Sequence, residues 1–266
     1  MHWWVTEIKN DSRRKNCLEL ATPTSMPAFI ESFTTLLRSG EMPCIGIALD
    51  YYRSYEARCR HGFINPFTQF DAEVLTCARE LLIQPPVTAA HQPEAKEDGA
   101  NHASALAAIM NLAEFSDADL IADSLHSATT SGVKIGAALA AAGVLEDADV
   151  PPLRLIGSLE SLIFNTTGIY HEYSAAISAL SESDSEIVDA ILLRALEMPL
   201  RGVQTQAAIT LAERNFPAYQ RIINEVTQSW PQNTDYPSVK LLSLLQQKQE
   251  AADITQSFPP GITNNE

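Results

Sequence analysis

Four alanine-rich runs recur along this chain at nearly constant spacing. "ALAAIMNLAE" starts at Ala105, "ALAAAGVLED" at Ala138, "AAISALSESD" at Ala175 and "AAITLAERNF" at Ala207, steps of 33, 37 and 32 residues. A glycine precedes each run, at Gly99, Gly132, Gly168 and Gly202. After each run comes a polar break and then an amphipathic stretch: "DADLIADSLHSA", "PPLRLIGSLESLIF", "SEIVDAILLRALE" and "AYQRIINEVTQSW". A unit of this size cannot bury its apolar face alone, so successive units must stack on one another. Glycine, small-residue helix, turn, amphipathic helix: the pattern predicts a helical hairpin repeated about four times.

The alanines fit that expectation. Alanine has the best intrinsic helix propensity, and its small side chain lets neighbouring helix backbones approach. The carboxylates after each run fit as well. Asp117 and Asp119, then Glu146, Asp147 and Asp149, then Glu182, Asp184 and Glu186 are expected at the starts of the second helices. Acidic groups there complement the positive helix terminus and cap free N–H groups. Asp123 lies a turn beyond the cap position.

These repeats, from Gly99 to Trp230, resemble HEAT-type repeats, two-helix units with periods in the thirties to forties. The resemblance covers about half the chain and implies an all-α fold, a right-handed α-solenoid of stacked helical hairpins. It brings no catalytic motif. The mid-helix proline and the Asp/Arg ladder of the longer members are not evident, which points to a short HEAT-like variant.

Around the repeats, residues 1–83 read as a helical N-terminal region continuous with the solenoid, opening on a short extended arm. In "MPAFIESFTTLLRSG" the residues Phe29, Ile30, Phe33, Leu36 and Leu37 form a helical stripe closed by Gly40. "IGIALDYYRSYEARCRHG" continues to Gly62, and Asp71 is a candidate N-cap for "DAEVLTCARELLIQPP". Residues 84–98 read as an exposed loop, 99–230 as the repeats, 231–252 as a capping helix and 253–266 as a disordered tail.

The chemistry sought in this sequence is mostly missing. Deoxyhypusine hydroxylase, an enzyme built on HEAT repeats, holds two irons on several His-Glu dipeptides; here there is one, His171-Glu172. Asp117, Asp119 and Asp123 could approach a hard cation, but no calcium-loop glycine or distal glutamate follows, so helix capping is the better reading. No phosphate-cradling loop, nucleophile elbow or dinucleotide fingerprint is present. Cys59 and His61, beside Arg58 and Arg60, are the one candidate thiol–imidazole pair. A non-enzymatic protein without metal or cofactor is expected.

Charge narrows the partner. The chain carries 18 basic and 33 acidic residues, a net charge of −15, and residues 99–230 hold 6 basic against 16 acidic. Such a surface repels nucleic acid and anionic membranes and attracts basic proteins. No run of apolar residues is long enough to span a membrane. The four cysteines, with no C-x-x-C pair, are expected as reduced thiols in a cytoplasmic protein. The profile is similar to bacterial immunity proteins, which neutralise basic toxin domains, often nucleases, by direct binding. That likeness implies a basic partner captured by Asp117, Asp119, Asp123, Glu146, Asp147, Asp149, Glu182, Asp184 and Glu186. The alternatives are a scaffold that binds a partner helix or peptide in a concave groove, and an acidic ridge that serves only solubility.

Overall fold

The stripe led by Phe29 and Ile30 becomes α1 (Met26–Leu37), with Phe33, Leu36 and Leu37 buried. Gly40, at φ 71°, turns the chain into α2 (Met42–Cys59). The structure, a computed structural model, describes residues 26–59, 66–86, 99–228, 230, 241 and 243–248. The expected N-terminal arm, most of the 84–98 loop, the Cys59–His61 pairing and the 253–266 tail lie outside the described residues. Of the expected capping helix, residues 243–248 are helical, and Leu241 is buried.

Phe67 is fully buried and packs on α1, its ring 4.2 Å from that of Phe33. A short 3-10 turn then leads into α3 (Asp71–Ile83). Asp71 is the first residue of this helix and not its N-cap, which is Phe70. Its carboxylate instead accepts the Tyr52 hydroxyl at 2.8 Å and ties α3 to α2.

The repeat region supplies α4 (Ala100–Ala108), a 3-10 turn (Phe115–Asp117), α5 (Ala118–Ser127), α6 (Ser131–Glu146), α7 (Leu153–Phe164), α8 (Tyr170–Ser181), α9 (Glu186–Ala195) and α10 (Arg201–Gln228). Helix α10 is two segments joined across Asn215, whose φ of −154° and ψ of 78° interrupt the helix. The Asn215 side-chain oxygen accepts the Ala218 amide at 3.3 Å, and Pro217 sits in the first turn of the second segment, where its missing N–H costs nothing. The described residues are all-α, with no strand among them.

The helices pack in two series. Helices α2, α4, α6, α8 and α10 touch in succession, and so do α3, α5, α7 and α9. Helix α4 packs on both α2 and α3, so the pattern begins a unit earlier than the alanine runs. Pairing across the two series departs from the expected hairpins. Each amphipathic helix packs closely on the helix after it (α3 on α4, α5 on α6, α7 on α8, α9 on α10), while α6 and α7 touch only lightly.

Helix α6 shows why the alanines are needed. It is flanked by α4, α5 and α8 at once, and Ala137, Ala138, Ala140 and Ala141 are all fully buried. A Cβ on Gly136 would lie 3.2 Å from the Leu106 Cβ of α4, and one on Gly143 would lie 3.0 Å from the Met110 carbonyl oxygen. Larger side chains would drive the neighbouring backbones apart.

The cysteines correct one expectation. Cys77 is a free thiol, but Cys44, fully buried in α2, is disulfide-bonded. A disulfide persists in oxidising surroundings, so the thiol argument for a cytoplasmic location no longer holds. No helix among the described residues is long and apolar enough to cross a membrane.

Candidate functional site

A ladder of ion pairs joins the α3, α5, α7, α9 series. Arg79 of α3 donates to Asp117 (Nε 2.6 Å, Nη2 2.8 Å) and to Glu114 at 2.8 Å. Arg154 of α7 reaches Asp119 at 3.3 Å and bonds Asp123 of α5. Arg194 of α9 bonds Glu160 of α7, and Arg214 of α10 donates to Asp189 of α9 at 2.8 Å. In the other series, Lys134 of α6 meets Glu172 of α8 at 3.1 Å, where Ser131 also donates, at 2.5 Å. A ladder not evident in the sequence is therefore present in the fold. Its partners stand 25 to 38 residues apart and carry no local motif.

The pairing divides the nine predicted binding residues. Asp117 is 3% exposed, with both oxygens held by Arg79 and one also accepting the Glu114 amide at 2.9 Å. It is a structural group and not part of an open surface. The bonds to Asp117, then to Glu114, push the Arg79 guanidinium further above its usual range. Asp119 and Asp123 are exposed but share Arg154, whose pKa rises chiefly through its bond to Asp123. Asp123, a turn beyond the cap position, is thus an interhelix partner.

Of the other six, five are placed differently from expectation. Glu146 ends α6, Asp147 is its C-cap, and Glu182 is the C-cap of α8. They stand at the negative ends of the first helices and not at the starts of the second. Asp149 and Asp184 lie in the turns, and only Glu186 opens a second helix. Helix α7 starts late because Pro151 and Pro152 precede it, and no side chain caps it. In α9 the cap is Ser185, which accepts the Ile187 amide at 3.3 Å. All six are exposed and have no ion-pair partner among the described residues.

Three of these carboxylates converge. Glu146, Asp147 and Glu182 line an open groove of about 290 Å³ with Met110, Asn111 and Leu139, where the C-terminal ends of α4, α6 and α8 meet. No basic residue lines it. Carbonyl groups at helix C-termini add partial negative charge. The same edge exposes large apolar side chains that sequence reasoning missed: Phe115 (53%), Val150 (67%), Leu153 (63%) and Ile187 (44%). Phe115 and Val150 sit at the polar breaks, while Leu153 and Ile187 lie in the first turns of the second helices, outside the buried stripe.

No group of three or more His, Cys, Asp or Glu among the described residues could hold a metal. His171 is exposed, while Glu172 is buried on Ser131 and Lys134, so the dipeptide does not act as a unit. A second cleft of about 380 Å³ gathers His126, Lys134, Arg154, Ser158 and Ser161, but its lysine and arginine are already ion-paired. The fold and this edge define an all-α protein with an unneutralised acidic and apolar border. Comparison with protein families, curated proteins and solved structures finds no match for this chain.

Proposed function

We propose that this chain is a non-catalytic, protein-binding α-solenoid, right-handed and HEAT-like, whose partner is a basic protein held by direct contact. The observation that carries the reading is the division of charge. Lys134, Arg154, Arg194, Arg214 and Arg221 of the 99–230 region are held in ion pairs within the chain. The six carboxylates of the α6–α7 and α8–α9 turns face solvent without a counter-ion among the described residues. An excess of one sign at one edge speeds association with a partner of the other sign.

Within that class, the most specific role is that of an immunity protein, which neutralises a basic toxin domain by covering it. The six turn carboxylates are the binding residues in this reading. Asp119 and Asp123 contribute only what Arg154 leaves, and Asp117 nothing.

The test is affinity capture from the native host with the wild-type chain and with a Glu146→Lys/Asp147→Lys/Glu182→Lys variant. A basic partner retained by the wild type, lost by the variant, and associating more slowly between about 50 and about 500 mM salt is expected. An acidic partner, or an association rate indifferent to salt, would leave the edge a solubilising surface.

A further inference from the structure

The apolar residues of the acidic edge are spaced in a way that specifies what covers them. Isolated exposed apolar side chains are ordinary on protein surfaces. These recur once per unit, in the turn before the second helix or in its first turn. Glu160 and Arg194 bond across a separation of 34 residues, which fixes α7 and α9 in register. Leu153 and Ile187 are separated by the same 34 positions and therefore stand side by side at the helix starts. Arg154 and Asp119, 35 apart, set α5 against α7 in the same way and bring the Phe115 turn level with Val150, three residues before Leu153. Phe115, the Val150–Leu153 segment and Ile187 thus succeed one another along the edge, Phe115 level with Val150 and Leu153 level with Ile187.

Packed helices lie about 8–10 Å apart, so the row has steps of about that length. Residues seven apart on an α-helix rise about 10.5 Å and lie close to one face. An amphipathic helix of about 15 residues, with apolar side chains at positions i, i+7 and i+14, would meet all three. Its neighbouring lysines and arginines would reach the carboxylates of the α6–α7 and α8–α9 turns. Glu146, Asp147 and Glu182 of the groove would take cations on one flank.

We propose that the edge carrying Phe115, Leu153 and Ile187 docks a basic amphipathic helix of the partner protein. The proposal rests on the reading that the partner is basic, and adds that apolar matching at the repeat spacing selects it. Charge brings the helix in, and desolvation of the apolar row holds it. The acidic border also opposes an acidic helix and a second copy of this chain.

Two labelled 16-residue peptides of identical Leu/Lys/Ala composition test it by fluorescence anisotropy. One carries Leu at i, i+7 and i+14, and the other has the same leucines scattered around the helix. The first should bind about tenfold more tightly. A Phe115→Ser/Leu153→Ser/Ile187→Ser variant should lose that preference while keeping helical circular dichroism and a salt-sensitive residue of binding. A Glu146→Gln/Asp147→Asn/Glu182→Gln variant should weaken both peptides. If both peptides bind alike and only the charge variant weakens them, the apolar row is not a determinant and this proposal fails, while the basic-partner reading stands. Binding that ignores the charge variant removes both. Failure of the first peptide to bind the wild type, or a dimer in solution that the serine variant dissolves, also overturns the helix-docking proposal.

Discussion

Arg79 grips both oxygens of Asp117 across 38 residues of sequence, and Asp117 has almost no other access to solvent. This pair fastens the α4–α5 turn onto α3, beside the first exposed apolar residue of the edge. Removing the arginine would leave a buried carboxylate with only the Glu114 amide. We expect Arg79→Ala to cost about 3 kcal/mol, since an orphaned buried charge is expensive. Arg154→Ala breaks an exposed pair and should cost far less. Urea unfolding of the two variants checks the order, and equal losses would mean that Asp117 is not the buried anchor described.

Two helical glycines should respond oppositely to alanine. A Cβ at Gly157 meets nothing within 4 Å, so Gly157→Ala should stabilise α7 by about 0.5–1 kcal/mol through helix propensity. At Gly143 the added carbon lies 3.0 Å from a backbone oxygen that must move, and Gly143→Ala should lower Tm. Ala138→Leu, at a fully buried site, should cost about 1–3 kcal/mol by overpacking. Thermal unfolding monitored by circular dichroism reads all three, and a rise in Tm for Gly143→Ala would contradict the close approach to the Met110 carbonyl.

Tyr219 donates its hydroxyl to Asp189 at 2.8 Å, the carboxylate that also receives Arg214. The bond to Asp189, with burial and the charge of Asp189 adding to it, raises the phenol above its usual value of 10.0. A raised folded-state pKa means that this contribution to stability is complete below about pH 10 and declines as pH climbs through the raised value. Wild-type stability should therefore fall more steeply than that of Tyr219→Phe above about pH 10. Parallel curves of unfolding free energy against pH would rule the bond out as a stabilising element.

The cysteines should separate by labelling. Burial first, then the charges of Glu80 and Glu73, pushes the Cys77 thiol upward, and its Sγ contacts the Leu37 carbonyl at 3.6 Å. Iodoacetamide at about pH 8 should modify Cys77 slowly in the native protein and quickly in urea, because the thiolate is the reactive form. Cys44 should stay unmodified even in urea until a reductant is added. Peptide mapping that finds Cys44 alkylated without reduction would show that the bond is absent.

A period of 32 to 37 residues, Ala-rich first helices and amphipathic second helices were legible in the sequence because periodicity and propensity act over a few turns. So was the stripe of α1, and the acidic excess of 99–230. Long-range geometry decided the rest. Arg79–Asp117 and Arg194–Glu160 span 38 and 34 residues, and no local pattern tells an arginine which carboxylate it will find. Helix ends shifted as well: α6 runs through Gly143 to Glu146, and Pro151 and Pro152 delay α7. Carboxylates expected at helix starts therefore came to stand at helix ends. The nine acidic residues were visible as a class. Which of them stay unpaired, and that Phe115 stands level with Val150 and Leu153 level with Ile187 beside them, was set only when the helices packed in register, because register is a property of neighbours and not of any one segment.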